Sequence, residues 1–323
     1  MKKILAILMC AVTALTVTAC SDNNEIPYSK SDKDKSTSDK ADKDKNEDKD
    51  KADETSEDSS TSSNEESSSS EETSEPRKPI ENLTAGETDD FVYMPNSDRT
   101  GYKITKYKGS AAEVVIPAEI DGAPVLEVAG FSNNKNVTSV KLGNSVTKID
   151  HSAFSNCQNL ESIVIPDSVT GIGNYAFNGC SSLTDTITIP DSVTTIGDGA
   201  FQNCSSLEGV NFGNGVAKIG HHAFYNCISL TSIDLPDSVT TVYAYAFANC
   251  KSLASVNLGN GVTTFVNRAF EDCTSLTSIV IPDSVTTIDS EIFFGVKNIK
   301  VTYKGKTYDY AHLVDLEKDI NGT

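Results

Sequence analysis

The chain has 323 residues, with 27 Lys and Arg against 46 Asp and Glu, and its formal net charge is −19. This balance excludes the basic stripe that binding a nucleic acid backbone requires, and it excludes electrostatic attraction to an anionic membrane surface. The length would suffice for two average domains, but a long polar stretch near the start leaves about 230 residues, which suits one folded body.

Residues 1–19 are typical of a secretory signal peptide. Lys2 and Lys3 supply the positive start, and residues 4–17 form an apolar run that is short for a bilayer span. The run ends in Val-Thr-Ala-Cys, which resembles the lipobox of bacterial lipoproteins. The resemblance implies that Cys20 is lipidated and becomes the first mature residue, so the membrane is contacted only through that lipid. The alternative is an ordinary signal, cut after Ala19, that releases a secreted protein.

Residues 20–86 are predicted to be a disordered spacer anchored at Cys20. Lys, Asp, Glu and Ser dominate this segment, and Tyr28 is its only aromatic residue. Such a composition cannot bury enough apolar surface to offset the entropy lost on ordering. As a flexible coil the spacer would reach roughly 45 Å on average, which suits a tether that lifts a folded domain off a membrane.

Residues 87–130 are predicted to form an N-terminal β cap followed by a degenerate first repeat. Apolar alternation at 91–93, 102–105 and 114–116 indicates short strands. Residues 296–323 are predicted to form a C-terminal cap that ends in a short amphipathic helix. We expect a cap at each end because a stack of parallel strands would otherwise leave two open edges.

Between the caps, residues 131–295 repeat one unit of about 23 residues. Each unit has a strand-like apolar segment, a Pro-Asp or Gly-Asn turn, a second short apolar pair and Ala-Phe-x-x-Cys. The repeated aromatic and thiol positions form two columns: Phe154, Phe177, Phe201, Phe224, Phe247 and Phe270, and Cys157, Cys180, Cys204, Cys227, Cys250 and Cys273. Such a period predicts a solenoid in which each coil contacts only its neighbours. We expect one long parallel β-sheet, short second strands, and a single helical turn at each Ala-Phe step.

The six repeat cysteines are predicted to be buried free thiols. Side chains stacked on successive coils lie about 4.8 Å apart in parallel, whereas a relaxed disulfide needs converging Cβ atoms about 3.8 Å apart. An exported chain meets oxidising conditions, so disulfides are the alternative. The sequence has no CxxC pair, and we expect neither a metal nor another cofactor.

Units of the form L-x-x-I-x-I-P-x-x-V-x-x-I-x-x-x-A-F-x-x-C resemble the leucine-rich repeats of BspA-type bacterial surface proteins over residues 116–295. The resemblance implies a right-handed leucine-rich repeat solenoid at a cell surface, associated with adhesion and with binding of host or matrix proteins. One departure is a single extra residue within 183–189, which we expect to bulge that strand.

No combination of Ser, His and carboxylate residues indicates a catalytic site, so we expect the protein not to be an enzyme. The residues that precede the repeated Ala vary between coils, and stacking places His222, Tyr245 and Arg268 at intervals of about 4.8 Å. The candidate binding patch comprises Tyr175, His222, Tyr225, Tyr243, Tyr245 and Arg268. Tyr and Arg are frequent at binding hot spots, whereas tolerated surface substitution is the alternative explanation.

Taken together, these features favour a monomeric, lipid-anchored, extracytoplasmic protein of a bacterial cell membrane whose solenoid binds a macromolecule, first of all a protein. A glycan-binding module is the second hypothesis, and the absence of Trp counts against it. A spacer with no ligand is the third.

Overall fold

The computed structural model describes residues 77–184 and 186–322. The predicted signal peptide, Cys20 and most of the predicted spacer lie outside these residues. Within the described part of the chain, no helix combines the length and apolarity needed to cross a bilayer. The folded cap starts earlier than the predicted boundary at residue 87, because Leu83 is buried and its carbonyl accepts a hydrogen bond from Arg99 Nη2 at 2.6 Å.

The N-terminal cap joins an antiparallel unit to the start of the solenoid. The strands of the cap and first coil are β1 (Gly86–Glu87), β2 (Phe91–Pro95), β3 (Tyr102–Tyr107), β4 (Glu113–Val115), β5 (Glu119–Ile120) and β6 (Ala123–Val128). β1, β2 and β3 pair antiparallel, and β3 then pairs parallel with β6. The ring of Tyr107 stacks on Phe131 at 5.0 Å between centroids, so the cap closes the first end of the phenylalanine column.

Each following coil contributes a main strand and a shorter second strand. In chain order they are β7 (Ser139–Lys141), β8 (Lys148–Ile149), β9 (Ser162–Val164), β10 (Gly171–Ile172), β11 (Ile187–Ile189), β12 (Thr195–Ile196), β13 (Val210–Phe212), β14 (Lys218–Ile219), β15 (Ser232–Asp234), β16 (Thr241–Val242), β17 (Ser255–Asn257), β18 (Thr264–Phe265) and β19 (Ser278–Val280). The odd numbers are main strands and the even numbers are second strands. Both rows pair in parallel.

The prediction of a parallel sheet along the solenoid is confirmed, and the uninterrupted sheet is formed by the second strands. It runs from β6 through β8, β10, β12, β14 and β16 to β18. The main strands instead form separate groups, with breaks between β9 and β11 and between β17 and β19. The first break coincides with the extra residue within 183–189, because one added residue shifts the register in which β11 could pair with β9.

The interior consists of the predicted columns. The rings from Phe131 to Phe293 stack along the solenoid with centroid separations of 4.9 to 5.8 Å, and all of them are fully buried. The six repeat cysteines are buried free thiols, and each Sγ donates to the carbonyl of the phenylalanine one coil earlier at 3.0 to 3.2 Å. Every polar group of this column is therefore satisfied without a disulfide.

The Ala-Phe segments are tight turns rather than regular helix. The residue before each Ala has a positive φ, for example 56° at His222 and 58° at Tyr245, and a left-handed residue interrupts a right-handed helix. The backbone pairs with the next coil instead, as Phe154 N–H does with the carbonyl of Ala176 at 2.7 Å. In the last unit, Ser290–Phe293 forms a 3-10 turn.

The C-terminal cap contains β20 (Lys300–Tyr303), β21 (Lys306–Asp309), a 3-10 turn at Tyr310–His312 and the predicted short helix, α1 (Leu313–Asn321). β20 continues the last group of main strands, because it pairs parallel with β19 and antiparallel with β21. The side chain of Asn321 accepts from Ile288 N–H at 3.0 Å and donates to Ile288 O at 2.8 Å. This amide occupies the backbone groups that an additional second strand would use, and so it protects the edge of the sheet.

Candidate functional site

The variable residue before each repeated Ala points away from the interior. Tyr175, His222, Tyr245 and Arg268 all have φ between 56° and 58°, while the Ala and Phe that follow each of them are fully buried. Hydrogen bonds between coils hold the row, as when His222 N–H donates to the carbonyl of Ala244 at 3.0 Å. The solenoid therefore displays one variable side chain per coil on a rigid backbone.

Three members of the candidate patch form a continuous aromatic cluster, which consists of His222, Tyr225 and Tyr245. The rings of His222 and Tyr245 stack with 4.9 Å between centroids and an interplanar angle of 8°. Tyr225 packs edge-on against His222 at 5.6 Å. Burial, followed by the nearby His221, lowers the pKa of His222 below its ordinary value. The imidazole in the cluster is therefore neutral at pH 7.

Arg268 is the next member of the row, and it is already paired. Its Nε donates to Glu291 Oε2 at 2.9 Å, and its Nη1 lies 3.8 Å from Glu271 Oε1. The guanidinium carbon also lies 4.6 Å from the ring centroid of Phe294, which is 44% exposed. The hydrogen bond to Glu291 raises the pKa of Arg268. We use the name ridge for the row of Tyr175, His222, Tyr245 and Arg268 together with the adjoining rings of Tyr225 and Phe294. Phe294 extends this surface beyond the residues predicted from the sequence.

Tyr175 and Tyr243 lie outside the aromatic cluster. The ring of Tyr175 lies over Gly199, where an added Cβ would come within 2.5 Å of it, and it meets His151 edge-on at 5.9 Å. Tyr243 packs against His221 at 4.9 Å. The six candidate residues therefore fall into separate contact groups, and only His222, Tyr225 and Tyr245 form one set of rings.

The repeat pattern does not predict a role for Phe294, because this residue belongs to neither the phenylalanine column nor the cysteine column. A signal was present, since Phe294 directly follows the repeat phenylalanine, where earlier units carry Ser, Asn, Gln, Tyr, Ala or Glu. A large apolar residue at a position that is otherwise polar or small indicates either a contact with a cap or a binding surface.

Exposed apolar side chains also occur on the main strands. Val164 and Val280 are 58% and 66% exposed, and each lies beside a break between main strands. Among residues 77–184 and 186–322, no three His, Cys, Asp or Glu side chains converge as metal ligands.

Comparisons with known proteins place this chain among bacterial leucine-rich repeat proteins. A family profile described as a BspA type leucine rich repeat region matches residues 107–187 and 184–300 in six copies. The crystal structure of a leucine-rich repeat protein from T. pallidum is 36% identical, with a TM-score of 0.56, over 59% of this chain and 90% of that chain. A leucine-rich repeat protein from Bacteroides ovatus is 27% identical, with a TM-score of 0.49, over 68% of this chain and 70% of that chain. No curated protein sequence matches significantly.

Proposed function

Because the chain belongs to the BspA-type leucine-rich repeat family, we propose that it is a bacterial cell-surface protein whose solenoid binds another protein. In this proposal a lipid on Cys20 holds the chain at the membrane, and residues 20–86 space the solenoid away from it. The solenoid then acts as a display surface rather than as an enzyme, since stacked coils present long rows of side chains and build no deep catalytic cleft.

The observation that supports protein binding most directly is the aromatic cluster with its neighbours. The stack of His222 on Tyr245 and the cover of Arg268 on Phe294 lie on consecutive coils of the same ridge. Aromatic rings give a large contact area at a small loss of rotamer entropy, and Tyr and Arg are enriched at binding hot spots. Such a surface suits a protein partner with an exposed apolar or acceptor-rich patch.

The ring arrangement favours a protein over a sugar at this ridge. A sugar that bound to these aromatic rings would have to stack on an open ring face. The face that His222 turns toward Tyr245 is covered by that ring, since they stack almost in parallel with 8° between planes. A protein can use the edges and hydroxyl groups of such a stack, because its contacts do not require one open face.

A direct test is binding to a panel of immobilised extracellular-matrix proteins, measured with wild type and with a Tyr245→Ala, Arg268→Ala double variant. We expect the double variant to bind about tenfold or more weakly, because hot-spot truncations typically cost at least about 2 kcal/mol. The matched control is Tyr175→Ala, which removes an exposed tyrosine outside the aromatic cluster. Equal binding by the double variant would remove the ridge from the proposal.

The anchor is tested separately by labelling with radioactive palmitate in a bacterial host. We expect label in the wild-type protein and none in Cys20→Ala, because the thiol sulfur is the atom to which the labelled lipid is attached. Label in both proteins, or in neither, would contradict lipid attachment at Cys20.

A further inference from the structure

In the sheet that the second strands form, one residue of each strand is aligned with the equivalent residue of the next strand. This row of aligned residues continues from the cap into the coils. Its outward members, one per strand, are Lys103, Glu127, Lys148, Gly171, Thr195, Lys218, Thr241, Thr264 and Thr287. Gly171 is the one member of this row without a side chain. A Cβ added there would meet nothing within 4 Å, and its φ is not positive, so neither crowding nor backbone conformation requires glycine. The row therefore has a notch between Lys148 and Thr195.

A cavity of about 550 Å³ opens over this notch. Its lining includes Gly171, Gly173 and Gly197 from the coils and Arg77, Asn96, Asp98 and Thr100 from the cap. Ligand pockets typically measure about 300 to 1,000 Å³. The cavity is thus large enough for a small ligand, and it is built from both the cap and the coils.

Glu127 brings a carboxylate to the cavity. Lys103 and Lys148 flank Glu127 in the row, but both pair with Asp150. Lys103 forms an ion pair with Asp150, and Lys148 Nζ lies 3.3 Å from Asp150 Oδ1. Glu127 is half-buried, and neither Lys103 nor Lys148 pairs with it. A partly buried carboxylate gains stability when a ligand donates to it.

The remaining lining groups supply both acceptors and donors. Thr147 and Thr170 each donate their hydroxyl to a carbonyl of the preceding coil at 3.2 Å, which leaves their oxygen lone pairs as acceptors. Asn174 Oδ1 accepts from Asp198 N–H at 2.9 Å, so its amide NH₂ can still donate. Arg77 adds a guanidinium. The lining is therefore rich in groups that match hydroxyls.

We propose that this cavity binds a short, uncharged oligosaccharide whose hydroxyl groups donate to Glu127 and accept from Arg77 and Asn174. A peptide backbone fits less well, because the lining strands β8, β10 and β12 are already paired on both sides and offer no free edge. The apolar lining residues Leu126 and Ile172 are almost completely buried, so they offer little surface to an apolar side chain. This site is separate from the ridge that carries the proposed protein binding.

The test is a titration of the full chain with maltotriose, cellotriose and triacetylchitotriose, followed by saturation-transfer NMR and calorimetry. We expect saturable binding of at least one trisaccharide. Gly171→Thr fills the notch with the residue that neighbouring coils carry, and Glu127→Gln keeps the shape of the side chain while removing its charge. Each is expected to weaken binding about tenfold or more, since hydrogen bonds to charged groups are the stronger ones.

Thr264→Val is the matched control, because it changes the same row away from the cavity and should leave binding unchanged. The proposal is overturned if no trisaccharide binds saturably, or if Gly171→Thr binds as tightly as wild type. It is also overturned if only a short peptide competes for the cavity. Binding of matrix proteins, measured in parallel, should persist in Gly171→Thr and fall in the Tyr245→Ala, Arg268→Ala variant, so the two proposals can fail independently.

Discussion

The interior and the outer ridge of the same coils follow opposite rules. Inside, Ala, Phe and Cys recur in successive coils, and Phe224 and Cys227 are completely buried. The residue that precedes the repeated Ala differs from coil to coil: it is Tyr175, then Gly199, then His222. An interior side chain must fill the same volume between two identical neighbours. A residue on the ridge needs only a left-handed backbone conformation, and its side chain points outward.

This difference separates stability from recognition within a single repeat. Stacking energy is shared between neighbouring coils, so a change in a column weakens contacts on both sides. A change on the ridge alters one displayed side chain.

The largest contrast concerns thiol reactivity. Burial raises the pKa of Cys157 to about 11 and the pKa values of Cys204 and Cys250 to about 12. Because the thiolate is the reactive form, we expect the native repeat cysteines to react with Ellman's reagent at pH 8 on the order of a thousandfold more slowly than in guanidinium chloride. An exposed thiol introduced by Thr240→Cys should react at once, and comparable reactivity of the native column would show that the interior is open.

The next effect is the loss of an interior ring. Phe224 stacks between Phe201 and Phe247 at 5.2 and 5.3 Å, so Phe224→Ala leaves a cavity that touches two neighbouring coils. We expect the free energy of unfolding to fall by about 3 to 5 kcal/mol, measured by urea denaturation. The neighbouring ridge variant Tyr225→Ala is the control, and a similar loss in both would contradict the separation.

An intermediate effect is expected where the cap meets the coils. Burial opposes ionisation of Asp150, but hydrogen bonds from Lys103, His151 N–H and Lys148 outweigh it and lower its pKa to about 2. Because the folded pKa lies below the unfolded value of about 3.9, the ionised carboxylate stabilises the fold above about pH 4, and this contribution disappears as the pH falls toward 2.

Asp150→Asn should therefore reduce the free energy of unfolding by about 2 kcal/mol at pH 7 and flatten its dependence on pH between about 4 and 2. Urea denaturation at several pH values measures the free energy of unfolding and its dependence on pH. An unchanged pH profile in the variant would assign the acid sensitivity to other carboxylates.

The smallest effect is expected on the ridge. Tyr245→Ala removes the ring stacked on His222, and such pairs are worth about 0.5 to 1.5 kcal/mol. We expect a small change in thermal unfolding together with a clear loss of binding to matrix proteins. A large loss of stability would mean that the aromatic cluster supports the coil rather than displaying a surface.

The period of the repeat predicted most of the fold and only part of the candidate site. The positions of Phe224 and Cys227 follow from counting residues, and so does the adjacency of His222 and Tyr245 on consecutive coils. The extra residue within 183–189 marked one break between main strands, but the break between β17 and β19 has no counterpart in the spacing. Tyr243 was selected because it lies near the ridge in sequence, yet its ring packs on His221.

The sequence alone predicts the coil, its buried columns and the order of the displayed side chains. It could do so because a constant period places equivalent residues at equivalent positions, whatever their neighbours are. Which row of strands stays continuous is visible only in the folded chain. The same holds for the pairing of Lys103 and Lys148 with Asp150 and for the position of Glu127 at the cavity over Gly171. These outcomes depend on the geometry between side chains of the cap and of separate coils, which repeat spacing does not encode.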